Sequence, residues 1–342
     1  MKYKRLVPTL LILGAFALGN CSLPRVTTSP ATETPIIVTP TVADSAAPLP
    51  TAALGLAENP VILALPPSAD SLEQVSAARE IAAQITERTG HVVVTIVPDS
   101  YAALIDALEN GNAHIAVLDP LSYALAYQKD LVRAQFAVVR NGTIKYGAQF
   151  LSARRSGFTS YFNSDIGVNT ADAAIALAQF QEKKPCWSDE ISPSGYIIPL
   201  GLLNQSQVQT RPAAFVGGQT TVVRSIYAGG ICDFGATYVD ARSFPSLENE
   251  YPDLIEQVIV VWQVPEIIPY EVLAFSTQLS QPMRDLFATI IPAILQTDAG
   301  NAAFKTAYDF ESLLAVNDGD FRDFQLYADE SRLDLFLLLS GQ

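Results

Sequence analysis

From Pro60 onward, the apolar positions of the chain switch between two periods. Residues 61–65 form a short, unbroken apolar run, the pattern of a strand covered on both faces. Over residues 71–89, Leu72, Val75, Ala78, Ala82 and Ile85 recur at helical spacing, and Gly90 closes the segment. Residues 91–97 return to a strand pattern, residues 101–110 to a helix ended by Gly111, and residues 113–118 to a strand. A β-α-β-α-β order of this kind predicts a sheet with parallel strands and helical cover.

The alternation continues with less regularity. Asp119-Pro120 opens a helix reaching residue 128, and residues 136–139 and 146–153 read as strands around the turn Asn141-Gly142. Residues 170–181 and 220–228 read as helices, the second backed by Gly229-Gly230, and residues 256–264 are a strong β run. Residues 282–296 read as a helix that Pro292 should kink or split, and residues 301–308 and 332–339 as closing helical pieces. The pattern predicts an α/β fold with two lobes, each a mostly parallel sheet flanked by helices. Lobe I comprises residues 59–148 plus 268–342, and lobe II residues 149–267. A chain that goes out and returns makes two crossovers, which form a hinge.

The beginning of the chain has a different character. Lys2, Lys4 and Arg5 precede an apolar stretch from residue 6 to residue 18, too short for an ordinary spanning helix. Leu18-Gly19-Asn20-Cys21 then resembles the lipobox of exported bacterial lipoproteins, in which the cysteine receives lipid. Asn20 stands where a smaller residue is usual. Residues 1–21 are therefore read as a signal peptide with lipobox, and the Pro/Thr/Ala-rich residues 22–58 as a tether without a core-forming period. The reading places the globular part outside the cytoplasm, anchored to a membrane at Cys21. The other cysteines, Cys186 and Cys232, are an even pair in an oxidising compartment, where a disulfide is expected and two separate buried thiols are the alternative.

Charge and composition narrow the chemistry. The 342 residues carry a formal net charge of −14, with no Lys/Arg cluster beyond the extreme N-terminus, which argues against a nucleic-acid partner. The two histidines, the lack of HExxH and the lack of a CxxC pair give no metal site and call for no cofactor. The segment Ser192-Pro193-Ser194-Gly195 reads as a loop entering a helix, where backbone N–H groups, the helix dipole and two hydroxyls can hold an anion. Tyr123 and Tyr101 follow strands at their carboxyl ends, where open α/β sheets bind ligands.

Five segments, in order, match one family. They are Tyr101-Ala-Ala-Leu-Ile-Asp-Ala-Leu, Ala113-His-Ile-Ala-Val-Leu-Asp-Pro-Leu-Ser-Tyr123, Asp189-Glu-Ile-Ser-Pro-Ser-Gly-Tyr196, Cys232-Asp-Phe-Gly-Ala-Thr-Tyr-Val-Asp240 and Pro265-Glu-Ile-Ile-Pro-Tyr-Glu271. Over residues 59–340 the chain resembles the substrate-binding lipoproteins of phosphate, phosphite and phosphonate ABC importers, of the type II periplasmic-binding fold. The resemblance implies that Ser192, Ser194 and Gly195 grip the anion's oxygens. It implies that Tyr123 and Tyr101 close from the other lobe, and that Asp240 or Glu271 faces the substituent or a protonated oxygen. Gln219 and Thr220 open the next helix, where members of this type often carry a histidine. Gln219 donates a hydrogen bond but never a positive charge. The implied partners are a small anionic ligand and a membrane permease, with the protein a monomer.

Two other readings compete. A sensor domain for a small anion or organic metabolite, signalling to a membrane kinase, would use the same fold. An anchored hydrolase would need a nucleophile with a base, and the candidate bases are His91 and His114, both read as strand-starting structural residues. The chain is accordingly read as a non-enzyme. The lipobox reading predicts that metabolic palmitate labelling of the protein disappears in Cys21→Ser; retained label would rule out lipid attachment at Cys21.

Overall fold

The computed structural model describes residues 52–69, 71–309 and 312–341. Cys21, the expected signal peptide and all but the last residues of the expected tether lie outside them. Every feature described below belongs to the unit spanning Thr51–Gln342.

The first lobe begins with β1 (Val61–Ala64), α1 (Leu72–Thr89), β2 (Val93–Ile96), α2 (Tyr101–Glu109), β3 (Ile115–Leu118), α3 (Pro120–Gln128) and β4 (Val132–Val139). The second holds β5 (Lys145–Ala153), the ribbon β6 (Phe162–Asn163) and β7 (Val168–Asn169), α4 (Ala173–Leu177) and β8 (Pro185–Trp187). It continues through α5 (Ile198–Gln205), β9 (Ala214–Phe215), α6 (Gln219–Ala228), β10 (Phe234–Tyr238), α7 (Pro245–Glu250), α8 (Leu254–Gln257) and β11 (Val258–Pro269). The chain ends with β12 (Val272–Ser276), α9 (Gln281–Leu295), α10 (Asp298–Tyr308), β13 (Ser312–Ala315), α11 (Arg322–Glu330) and α12 (Leu335–Ser340).

Local chemistry explains where several elements start and stop. Ser71 caps α1 in a reciprocal box with Gln74, and Gly90 ends it in the left-handed region at φ 73°. Asp119 caps α3 by accepting from the N–H groups of Leu121 and Ser122, with Pro120 in the first turn. Helix α9 runs through Pro292 as one element rather than splitting there.

Two sheets organise the fold, in the orders β13-β4-β12-β3-β1-β2 and β11-β5-β10-β8-β9. The two-lobed α/β class stands, but the sheets are mixed rather than mostly parallel. β1, β2 and β3 pair in parallel, as do β8, β9 and β10. The strands that carry the chain between lobes pair antiparallel, β5 with β10 and β11, and β12 with β3 and β4. The reason is topological. A strand that enters a sheet directly from the other lobe has no crossover helix to reverse its direction.

The chain leaves the first lobe through residues 140–144 and returns through residues 270–271, so the Asn141-Gly142 turn links two sheets. At this double crossing, Tyr270 N–H donates to the Ile144 carbonyl and Val138 N–H to that of Glu271. The Arg140 guanidinium adds two bonds to the Glu271 carboxylate, at 3.0 and 3.1 Å.

Apolar packing follows the layers. One face of the first sheet packs Leu63, Phe136 and Phe275 against Ile81, Phe287 and Phe304 of α1, α9 and α10. One face of the second packs Leu151 and Val260 against Val222 and Ile226 of α6. A third cluster reaches from Leu104 and Leu125 in the first lobe to Phe150, Trp187 and Ile198 in the second.

The C-terminal remainder, expected to pack on the first lobe as a whole, divides. Helices α9 and α10 pack on α1, and α12 on α2 and α3, but α11 lies on α5 of the second lobe. Asn204 of α5 donates to the carbonyls of Glu330 and Ser331 at 2.9 and 3.2 Å. A Cβ on Gly201 would overlap the Tyr327 carbonyl, so glycine permits the close approach of the two helices. Gly201→Ala should therefore destabilise the protein by about 2 kcal/mol through overpacking. Urea denaturation followed by tryptophan fluorescence measures this, and an unchanged midpoint would contradict the α5–α11 contact.

Candidate functional site

The SxSG segment follows strand β8 and is held from several sides. Cys186 in β8 forms a disulfide with Cys232, just before β10, with Cα atoms 5.6 Å apart. Trp187 is buried and packs on Phe234 and Tyr196, with ring centroids 5.8 Å apart in each pair. Beyond Ser188 the chain makes a wide turn over Pro193–Ile197 before α5. Its hydrogen bonds skip five residues: Ile197 N–H donates to the Ser192 carbonyl and Ile198 N–H to that of Pro193. A turn this wide leaves more backbone groups unused than an α-helical start. The N–H group of Ser194 meets no acceptor among the described residues. Gly195 lies at the bottom of the turn, where a Cβ would collide with the Ser188 side chain.

Gln219, the first residue of α6, organises the hydroxyls. Its Nε2 donates to Ser192 Oγ at 2.9 Å and lies 3.4 Å from Ser194 Oγ. Its Oε1 accepts from Tyr238 N–H at 3.2 Å, which fixes which way round the amide sits. Ser192 Oγ also accepts from Gly195 N–H at 3.0 Å. A hydroxyl has two acceptor lone pairs, and both are now used, so Ser192 has only its proton to offer. Ser192 Oγ, expected to face an anion, is thus also the cap of this helix start.

Ser192, Ser194 and Gln219 line a cavity of about 580 Å³, together with Tyr146, Tyr238, Tyr270 and Asn141. Tyr146, at the start of β5, and Tyr270, in the returning crossing, stack at 5.1 Å between centroids. Burial pushes the Tyr146 hydroxyl's pKa up, and nearby Tyr270, Glu271 and Asp119 push it further, outweighing its hydrogen bond to Ser194. Tyr146 therefore stays protonated. Asp119, across the cleft, is likewise pushed up by burial, despite the hydrogen bonds from Ser122 and Leu121.

The other expected site residues lie elsewhere. Tyr123 is fully buried inside α3, not at the cavity. Its hydroxyl donates to Asp318 at 2.9 Å and accepts from Gln325 at 3.1 Å, so it ties the C-terminal segment to the first lobe. Tyr101 is half-buried at the start of α2 and hydrogen-bonded to Ser68. Thr220 is 3.5 Å from Arg224 Nη1 on its own helix. Neither lines the cavity. Asp240 accepts three bonds from the Arg242 guanidinium, at 2.6 to 3.1 Å, and one from Gln149 at 2.6 Å, leaving it no capacity to face a substituent. Glu271 is beside the cleft, but its carboxylate is engaged by Arg140. His114 is buried, with Nδ1 accepting from Ile62 N–H, and burial pushes its pKa down. His91 sits edge-on to Phe287.

The tyrosines Tyr146, Tyr238 and Tyr270, and Asn141, were not legible as site residues. Their signal was position: Asn141 and Tyr270 belong to the crossings between lobes, and Tyr146 follows the first of them at the start of β5, where clefts form.

The model of the ABC transporter, phosphonate, periplasmic substrate-binding protein family matches residues 63–321. The chain belongs to this family. It follows that the protein has a solute-binding role in ABC import, in a family of transport proteins rather than enzymes. Among solved structures, XAC2383 from Xanthomonas citri bound to ATP aligns with a TM-score of 0.59 at 14% identity, over 80% of this chain and 96% of that one. The same protein bound to chloride ion gives 0.58 at 14% identity, over 80% and 97%. PhnD1 from Prochlorococcus marinus in complex with methylphosphonate gives 0.48 at 13% identity, over 80% and 98%. At these identities the X. citri likeness bears on the fold. No helix among the described residues is long and apolar enough to cross a membrane.

Asp240 gives a prediction with a definite sign. Burial alone would raise its pKa, but the bonds from Arg242 and Gln149 outweigh burial and hold the carboxyl below its usual value. A folded-state pKa below the unfolded one stabilises the protein above the unfolded value, and the gain is lost as pH falls through the folded one. Asp240→Asn should cost about 2–3 kcal/mol at pH 7, since it strands the partly buried Arg242. The penalty should shrink below about pH 4, the usual carboxylate range. Urea melts of both proteins from pH 7 to pH 3 test this, and a pH-independent penalty would contradict it.

Proposed function

We propose that the protein is a lipid-anchored extracytoplasmic receptor of an ABC importer. It captures a phosphorus oxyanion (phosphate, phosphite or phosphonate) in the cavity lined by Ser192, Ser194 and Gln219, and hands it to a membrane permease. The lipid would be carried on Cys21 and the globular part held off the membrane by residues 22–58. Family membership supports the importer role.

One observation carries the choice of ligand: the Ser192 hydroxyl has both lone pairs occupied by Gly195 N–H and Gln219 Nε2. Its proton is therefore available to an acceptor in the cavity. An oxyanion is the strongest acceptor such a donor can meet, because hydrogen bonds to a charged oxygen are shorter and about twice as strong as neutral ones. Ser194 N–H and the Ser194 and Tyr146 hydroxyls lie beside it. The set needs no lysine or arginine, since converging donors in a partly buried site can hold one negative charge.

Replacing Ser192 by Ala removes the hydroxyl but leaves Gln219 in place. Calorimetric titration with methylphosphonate and with inorganic phosphate should show binding weakened by about 1–3 kcal/mol for whichever anion binds. A thermal melt of the variant separates loss of the cap from loss of the ligand contact. Undiminished affinity in a folded variant would refute this use of the serine.

A further inference from the structure

The cavity lies in a chain of net charge −14, yet no Lys, Arg, His, Asp or Glu is among the described residues that line it. The carboxylates nearest to it favour no extra negative charge. Glu271 is matched by Arg140, whereas Asp119 has hydroxyl and backbone partners and no cation. Both act electrostatically on Tyr146 in the cavity wall. The donors can neutralise one charge by hydrogen bonding, while a second charge would meet the field of Asp119, which has no cation beside it.

Size and lining add a second constraint. A volume of about 580 Å³ falls within the roughly 300–1,000 Å³ typical of pockets for organic ligands. A bare phosphate, with five heavy atoms, would leave most of it to water. Much of the remaining wall is aromatic. Tyr146 and Tyr270 stack at an interplanar angle of 27°, and Tyr238 stands beside Gln219, to which its backbone N–H is bonded. Such rings pack favourably with a further ring, offset or edge-on.

We propose that the ligand is a singly charged phosphorus ester bearing an aromatic ring, a phosphonate monoester or a phosphodiester, with the ring against Tyr146, Tyr270 and Tyr238. This inference rests on the reading of the cavity as a phosphorus-oxyanion site. Its oxygens take the Ser192 and Ser194 donors, and its ester substituent removes the second charge that the cavity cannot balance.

Three probes separate the parts of the inference at pH 8: methylphosphonate, which has no ring; phenylphosphonate, which has a ring and two charges; and phenyl methylphosphonate, which has a ring and one charge. Calorimetry with the wild-type protein should give the tightest binding for phenyl methylphosphonate, by about tenfold over each of the others. Tyr270→Leu should reduce that preference severalfold, read as the ratio of phenyl methylphosphonate affinity to methylphosphonate affinity in the same variant. Tyr238→Leu provides the same readout if the first variant does not fold. Methylphosphonate binding as tightly as the phenyl ester would overturn the inference and leave the oxyanion reading intact. Phenylphosphonate binding more tightly than the phenyl ester would overturn the single-charge part. Binding of none of the three would overturn both readings.

Discussion

The double crossing between the lobes is the constraint on which the rest of the molecule depends. The chain leaves the first sheet through residues 140–144 and returns through residues 270–271, and the two passages lie side by side. Arg140 and Glu271 join them with a bidentate ion pair whose side chains are 27% and 33% exposed. A pair this exposed contributes on the order of 1 kcal/mol to stability, so its main effect is on geometry. It holds the crossing strands in register where Tyr146 and Tyr270 stack. The position of the cavity wall is set by the same few residues that connect the two lobes.

On the second lobe the equivalent organiser is an uncharged side chain. Gln219 bonds with both ends of its amide, donating to Ser192 and accepting from Tyr238 N–H. A histidine or lysine there would bring charge to the donor set. Glutamine instead orients hydroxyls without adding charge, and the disulfide between Cys186 and Cys232 braces the strand beneath them. Two carboxylates that could have opposed an anion are tied up by arginines, Asp240 by Arg242 and Glu271 by Arg140, while Asp119 has none beside it. An acidic protein thereby keeps a cavity lining without charged side chains among the described residues.

Much of this was legible in the sequence. Ser71, Gly90 and Asp119 announce helix ends by cap chemistry that is local, and the structure uses them that way. The SxSG segment was legible for the same reason, since a serine before a proline-started helix turn has few other roles. Tyr123 and Asp240 show where such reasoning stops. Both follow strand ends in the expected places, but Tyr123 turns inward to Asp318, which is 195 residues away in sequence. Asp240 is bound by Arg242 only two residues on, together with Gln149 from the neighbouring strand β5. Whether a polar side chain faces a cleft or a partner depends on what the tertiary fold brings against it. No periodicity carries that information.

The sequence by itself determined the alternation of strands and helices, the two-lobed α/β class and the glycine and serine chemistry of the turn after β8. These follow from interactions between residues close along the chain and from which faces must be buried. Only the tertiary structure decided that α11 leaves the first lobe for α5, that the sheets are mixed, and that the cavity wall is built from Tyr146, Tyr238 and Tyr270. Those outcomes depend on contacts between residues far apart in the chain. Gly201 admits the Tyr327 carbonyl, β5 and β12 enter their sheets directly from the other lobe, and the two crossings set tyrosines 124 positions apart face to face.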